Sequence, residues 1–208
     1  EDLLGRQPVT PDWKAIRGWL GGRSVLVTGA GGSIGGELCR QCARHGASRI
    51  ALIEIDELAL VKAEAGLRRD FPQIQCIPVL GDCGDPAVMR HALALCNPDA
   101  VFHAAAYKHV PLMEENPCAA VLVNVNGSRN VADKCIQYDV EMMVMVSTDK
   151  AVNPTNVMGC TKRLAEIYVQ SLGLAMERGE VEGKTRFVTT RFGNVLGSNG
   201  SVIPRFRE

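Results

Sequence analysis

Six short apolar runs, each separated from the next by a helical or loop stretch, constrain this 208-residue chain more than any other feature. The runs fall at 24–28, 49–53, 75–80, 100–103, 141–147 and 185–191. Helical periodicity occupies 33–45, 57–71, 86–95, 117–137 and 158–178. Several runs are apolar at consecutive positions rather than alternate ones, as in Val25-Leu26-Val27 and Met142-Met143-Val144-Met145-Val146. Strands that read this way are buried on both faces, the condition of a parallel sheet covered by helices. Strand and helix in alternation then predict a doubly wound α/β fold of the Rossmann type, with helices on both faces of the sheet.

Composition narrows the partners. Lys plus Arg and Asp plus Glu both number 23, so the formal charge is zero. That balance excludes the basic surplus a nucleic-acid footprint or a polybasic membrane surface requires. No run of about 18 apolar residues is present, so no membrane contact is expected within the chain. Glu1 opens it without a Met, which reads as a piece of a longer protein. Of the eight cysteines, Cys39, Cys42, Cys96 and Cys135 sit in apolar-periodic stretches and read as small core residues. Cys39-Arg-Gln-Cys42 has CxxC spacing but no further ligands follow, so no metal site is expected and a reducing, cytosolic compartment is. Residues 1–23 form a lead-in: Thr10-Pro11-Asp12 starts a helix, with Trp13, Ile16, Trp19 and Leu20 at helical spacing. It either packs on the domain that follows or forms a collar to something upstream.

The first strand runs into Thr28-Gly29-Ala30-Gly31-Gly32-Ser33-Ile34-Gly35, and a helix follows at once. Glycines at 29, 32 and 35 in a strand–turn–helix context point to a dinucleotide site. Gly29 permits the tight turn, Gly32 lets backbone N–H groups approach a pyrophosphate, and Gly35 allows close helix–sheet contact. Glu54 ends the second strand about 20 residues on, where a carboxylate takes the ribose hydroxyls of the adenosine. Asp56 is a second contact or a helix cap. No Lys or Arg stands at 54–57, which favours NAD over NADP. After the third strand, Asp82 beside Cys83 either accepts from the adenine amino group or is a turn residue.

Two further strand ends carry chemistry. The fourth leads into Ala104-Ala105-Ala106-Tyr107-Lys108-His109, small residues past which a flat cofactor can run. The fifth leads into Thr148-Asp149-Lys150: a hydroxyl, a carboxylate and an amine in consecutive positions at the sheet edge where α/β ligands bind, suited to proton transfer. Asp149 and Lys150 otherwise pair at the surface. Lys162, one turn into the last helix, reads by itself as a solvated lysine. His109 reads as structural, because no metal-ligand spacing involves any histidine.

These segments resemble the extended short-chain dehydrogenase/reductases from about Ser24 onward. More narrowly they resemble the bacterial UDP-N-acetylglucosamine 4,6-dehydratases of polysaccharide biosynthesis. The resemblance rests on 27–35, on 103–117 (His-Ala-Ala-Ala-Tyr-Lys-His-Val-Pro-Leu-Met-Glu-Glu-Asn-Pro), on 147–156 (Ser-Thr-Asp-Lys-Ala-Val-Asn-Pro-Thr-Asn) and on 191–197 (Arg-Phe-Gly-Asn-Val-Leu-Gly). It implies an NAD-binding domain over 24–208 that includes only the start of a sugar-binding region. It also implies a UDP-sugar substrate, a possible homo-oligomer and surface-glycan synthesis. The opening Glu1-Asp-Leu-Leu-Gly-Arg6 resembles the junction that follows a membrane-spanning region in larger members. The parent protein would then be anchored in the inner membrane with this domain on its cytoplasmic side.

The chain departs from the superfamily at one position. The usual pattern is Tyr-x-x-x-Lys, with Tyr as the base; here Met158 precedes Lys162, and a thioether transfers no proton. The resemblance places the same Met in the larger dehydratases and moves proton traffic to neighbouring residues. Thr148 would hydrogen-bond the sugar 4-hydroxyl, Asp149 protonate the departing 6-hydroxyl and Lys150 take the C5 proton, with the last two roles open to reversal. Lys162 would hold the nicotinamide ribose and Met158 form an apolar wall beside the ring. Lys108, Asn124, Arg191, Asn194 and Ser201 would serve the cofactor and diphosphate side, although Asn124 alternatively bonds a neighbouring strand loop. A UDP-sugar 4-epimerase and a non-catalytic NAD-binding regulator are the rival readings.

Overall fold

The computed structural model describes residues 10–193 and 195. Asn194 and Ser201, expected on the diphosphate side, and the opening 1–6 lie outside them.

Six parallel strands form one sheet: β1 (Ser24–Thr28), β2 (Arg49–Glu54), β3 (Gln75–Leu80), β4 (Ala100–His103), β5 (Met142–Thr148) and β6 (Arg186–Phe192), in the order β3-β2-β1-β4-β5-β6. The order reverses between β1 and β4. Crossovers therefore leave β1 and β4 toward opposite sides, and a crevice opens beyond their carboxyl ends.

The helices divide between two faces. On one lie α1 (Trp13–Leu20), α2 (Ser33–Arg44) and α3 (Glu57–Asp70), whose Leu20, Cys39, Cys42, Leu60 and Leu67 bury Val25, Val27, Ile50 and Leu52. On the other lie α4 (Pro86–Cys96), α7 (Ser128–Gln137) and α8 (Val157–Glu177), over Leu26, Ala51, Ile53, Val101, Met143 and Met145. Asp12, Asp56, Asp85 and Asn156 cap α1, α3, α4 and α8 with side-chain oxygens. The lead-in helix packs on the domain through Leu20, Ile16 and Trp19. Trp13 stacks on His45 at 4.8 Å between ring centroids, and Arg23, paired with Glu141, lies 4.7 Å over Trp19.

Three expectations change. The stretch 117–137 is not one α-helix: α6 (Pro117–Ala120) passes into a π-helical segment, Val121–Gly127, before α7 resumes. At seven residues the π-helical segment is under two turns long, too short for its wider spacing to show in the hydropathy pattern. A short helix, α5 (Val110–Glu115), fills what read as loop, with Pro111 in its first turn. And β5 is buried on one face only. Met143, Met145 and Ser147 are covered, whereas Val144 and Val146 are half-buried, because α7 and α8 both lie on the methionine side. Six of the cysteines are buried and free, and burial pushes the Cys42 thiol up to about 12; Cys118 and Cys160 are exposed. Among the described residues no helix is long and apolar enough to cross a membrane.

Candidate active site

The β1–α2 turn is shaped by what cannot fit there. Gly29 has φ +67°, and a Cβ on it would lie 2.8 Å from the Ala105 N and Cα atoms. The turn and the Ala104–Ala106 loop after β4 therefore touch through backbone. A Cβ on Gly35 would lie 2.0 Å from the Gly29 carbonyl oxygen, so α2 can approach the strand only with glycine there. Gly32 donates its N–H to the Gly29 oxygen at 3.1 Å and stands at the N-cap of α2 without a side-chain cap. Ser33 and Ile34 follow, and Gly32, having no side chain, gives the positive end of α2 no side-chain cap of its own at the crevice. A helix N-terminus beside a backbone cradle that a Cβ would fill is the arrangement a pyrophosphate site uses.

Glu54 ends β2 and ties this loop down. Its Oε2 accepts the Gly31 N–H at 2.9 Å, and its Oε1 accepts those of Ile55 and Asp56 at 2.9 and 3.2 Å. Asp56 proves to be the cap of α3, accepting from Ala59 N–H at 2.7 Å. Asp82 is exposed and accepts the Gly84 N–H at 2.7 Å, the turn geometry. Cys83 turns its side chain into the core beside Met89 and Ile53; an apolar thiol is more stable there than at a polar cleft, so only its backbone remains for a ligand.

Beneath the loops runs a buried hydrogen-bond chain that sequence reading missed. Thr28 Oγ1 meets His103 Nδ1 at 2.8 Å, and His103 Nε2 meets Ser128 Oγ at 2.9 Å. Because Ser128 donates onward to the Asn124 carbonyl at 2.7 Å, its oxygen accepts from Nε2–H, which makes Nδ1 the acceptor for the Thr28 hydroxyl. Burial, helped by the charge of Lys162, pushes the His103 pKa down to about 3, so the ring is neutral. Thr28 in turn accepts the Ala105 N–H at 3.3 Å. Asn124, fully buried on the π-helical segment, accepts from Tyr107 N–H (2.8 Å) and donates to the Tyr107 carbonyl (3.0 Å) and Thr161 Oγ1 (3.0 Å). Its side chain holds the loop after β4, the alternative reading, instead of opening to the cleft.

At the end of β5, Thr148 donates its hydroxyl to Asp149 Oδ1 at 3.0 Å and accepts the Lys150 N–H at 3.3 Å. Lys150 Nζ donates to the same carboxylate oxygen at 3.2 Å. The Thr148 hydroxyl and the Lys150 ammonium hold the Asp149 carboxyl below the usual carboxylate range. Lys162 is not solvated: 5% of it is exposed, its Nζ donates to the Val146 carbonyl at 2.8 Å, and burial lowers its pKa to about 8. The reason is register. Four residues past Met158, it points under the α8 N-terminus at the sheet edge rather than outward. Met158 packs against Met113 and Ala120 and is 3% exposed, so its thioether lies within the α5–α6–α8 contact. Lys108 is exposed after β4. Arg191, expected on the substrate, directs Nε and Nη2 at Glu166 at 2.9 and 2.6 Å. Glu166 escaped sequence reading, although its place four residues after Lys162 was the available signal.

Comparison with known proteins fits this geometry. Residues 25–208 match the family described as polysaccharide biosynthesis protein. The chain belongs to this family. It is 47% identical, over all of its length and 34% of the relative's, to the capsular polysaccharide biosynthesis protein CapD of Staphylococcus aureus. It is 34% identical to an inverting UDP-N-acetylglucosamine 4,6-dehydratase of Campylobacter jejuni, over 90% of the chain and 53% of that protein. It is 35% identical to a UDP-glucose 4-epimerase of Rickettsia massiliae, over 88% and 52%. The chain thus spans about a third to a half of these relatives. Among solved structures, Pen from Bacillus thuringiensis superposes with a TM-score of 0.81 at 33% identity, covering 90% of this chain and 55% of that one. The Bordetella bronchiseptica enzyme WbmH, solved in complex with NAD+, shares the fold at a TM-score of 0.70 and 22% identity, covering 89% and 61%. Relatives of the chain thus include both a nucleotide-sugar dehydratase and an epimerase.

Proposed function

We propose that the chain is the NAD-binding part of a nucleotide-sugar 4,6-dehydratase that converts UDP-N-acetylglucosamine to a UDP-4-keto-6-deoxy sugar. The observation that carries this reading is the Asp149–Lys150 pair, 3.2 Å apart at the carboxyl end of β5, with Met158 where the wider superfamily places its base. Loss of water across C5–C6 needs an acid and a base side by side, whereas C4 epimerisation needs neither at C5. The dehydratase relative and the NAD+ complex of WbmH support the same reading.

The residues present fit NAD. The Gly29, Gly31, Gly32, Ser33, Ile34 and Gly35 segment would hold the pyrophosphate and Glu54 the adenosine ribose. Asp82 and the Cys83 backbone would lie by the adenine, Ala104–Ala106 would floor the site, and Lys162 would hold the nicotinamide ribose. Bound there, NAD+ supplies the hydride acceptor for oxidation at sugar C4 and the hydride that returns to C6. Thr148 would orient the 4-hydroxyl. Across the 3.2 Å contact a proton passes from the Lys150 ammonium to the Asp149 carboxylate, giving a neutral amine and an acid. Lys150 then takes the C5 proton, and Asp149 gives its own to the departing 6-hydroxyl. The 4-hydroxyl proton leaves to solvent at the oxidation; when hydride reaches C6, Lys150 returns a proton to C5 and takes one from solvent, so the pair ends as it began, ammonium beside carboxylate. The domain would work on the cytoplasmic side of a membrane in surface-glycan synthesis.

The epimerase relative keeps one second reading in play: UDP-sugar 4-epimerisation on the same cofactor cradle. The test is incubation of the full-length protein with UDP-N-acetylglucosamine in deuterated water. A 4-keto-6-deoxy product with deuterium at C5 is expected, and its loss in Asp149→Asn and Lys150→Met. A C4 epimer with no deuterium at C5 would replace the dehydratase reading.

A further inference from the structure

Lys162 and Glu166 are the buried Asp, Glu, Lys or Arg side chains among the described residues, and they lie one turn apart on α8. A buried charge is a poor source of stability, since desolvation offsets most of the attraction between partners. Glu166 is nevertheless fully enclosed and fully ionised. Burial pushes its carboxyl up, but hydrogen bonds from Arg191 and Arg163, with the nearby Ser147 hydroxyl, bring it down to about 2. Arg191 grips it with the two-pronged geometry of a guanidinium, at 2.9 and 2.6 Å, and Arg163 adds a third contact at 3.1 Å.

The location gives this pair its role. Arg191 stands opposite Ser147 in the β5–β6 register, and Phe192 stands opposite Thr148. One residue further, a Cβ on Gly193 would lie 3.7 Å from Asp149 Oδ2. The end of β6 is therefore a wall behind the Thr148–Asp149 hydroxyl and carboxylate. Among the described residues β6 is the last strand of the sheet and is exposed or half-buried along its length, and the Glu166–Arg191 pair is what ties its end to α8. We propose that Glu166 is a positioning residue: through Arg191 it pins the end of β6 to α8, and so holds the wall that sets Asp149 for proton transfer. This rests on the acid–base role given to Asp149 above.

The test uses the full-length protein and compares Glu166→Gln, Glu166→Asp and Arg191→Lys. Glu166→Gln keeps the size and removes the charge; Arg191→Lys keeps the charge and loses the fork. Turnover of UDP-N-acetylglucosamine is expected to fall about tenfold to a hundredfold in Glu166→Gln and Arg191→Lys, with KM and NAD+ affinity within about twofold of wild type. Glu166→Asp is expected to recover part of the loss. Hydrogen exchange, which needs no substrate, is expected to quicken at 147–151 and 190–193 in Glu166→Gln while β1 keeps its protection. Wild-type kcat in Glu166→Gln, or exchange raised uniformly across the sheet, overturns the proposal. A raised KM with unchanged kcat in Arg191→Lys also overturns it, by placing Arg191 on the substrate. A wild-type protein that makes no 4-keto product ends the dehydratase reading alone, and the exchange pattern then decides the positioning claim.

Discussion

Glu54 Oε2 accepts the Gly31 amide at 2.9 Å, so the residue that ends β2 clamps the turn that ends β1. The same carboxylate caps the Ile55 and Asp56 amides, which makes it a brace as well as the candidate ribose ligand. Glu54→Gln keeps the shape and loses the charge-assisted hydrogen bonds. NAD+ affinity, measured by calorimetry, is expected to fall about tenfold, near 1.4 kcal/mol.

Two glycines separate a required absence of Cβ from an incidental one. Gly35→Ala places a methyl 2.0 Å from the Gly29 oxygen, and the loop must move. Loss of NAD+ binding and a lowered Tm are expected. Gly66, inside α3, has nothing within 4 Å of the added carbon, so Gly66→Ala is expected to stabilise the chain by about 0.5–1 kcal/mol in urea unfolding.

His103 couples folding to acid. Its folded pKa, about 3, lies below the usual 6.5, so from pH 6.5 downward the unfolded chain takes up a proton that the folded chain refuses. Stability is unaffected by this group at neutral pH and above, and is lost as pH falls toward 3, by up to about 1.4 kcal/mol per pH unit. Urea unfolding from pH 7 to 4 is expected to show a shallower slope in His103→Gln than in wild type, on a lower baseline at pH 7.

Lys162 sets an alkaline limit. With its pKa lowered to about 8, the ammonium that would hold the nicotinamide ribose is present below that pH and lost above it. NAD+ affinity is expected to weaken as pH rises through about 8 and to become flat there in Lys162→Met.

Met158→Tyr restores the superfamily's base on paper but not in this packing. The thioether is buried against Met113 and Ala120, and a phenol there overfills an apolar contact and buries a hydroxyl. A lowered Tm with no gain in turnover is expected, by thermal melt and product assay.

The parts legible in the chain were local. Consecutive apolar residues at Val25–Val27 mark a strand buried twice over, and the glycines between Thr28 and Ser33 mark the turn that leaves it. Cap residues such as Asp85 and Asn156 mark where helices begin. The failures share a cause. A seven-residue π-helical segment is too short to break the apparent periodicity of 117–137, and the burial of Lys162 depends on a strand carbonyl 16 residues away.

The sequence by itself determined the alternating architecture, the glycine turn after β1 and the hydroxyl–carboxylate–amine run after β5, because each is written in neighbouring residues. Only the tertiary structure decided that His103 is shared by Thr28 and Ser128, that Asn124 faces a loop, and that Arg191 serves Glu166. Those partners lie 75, 25, 17 and 25 residues apart, and no local pattern says which side chains a parallel sheet will bring face to face in a medium where every polar atom must find a partner.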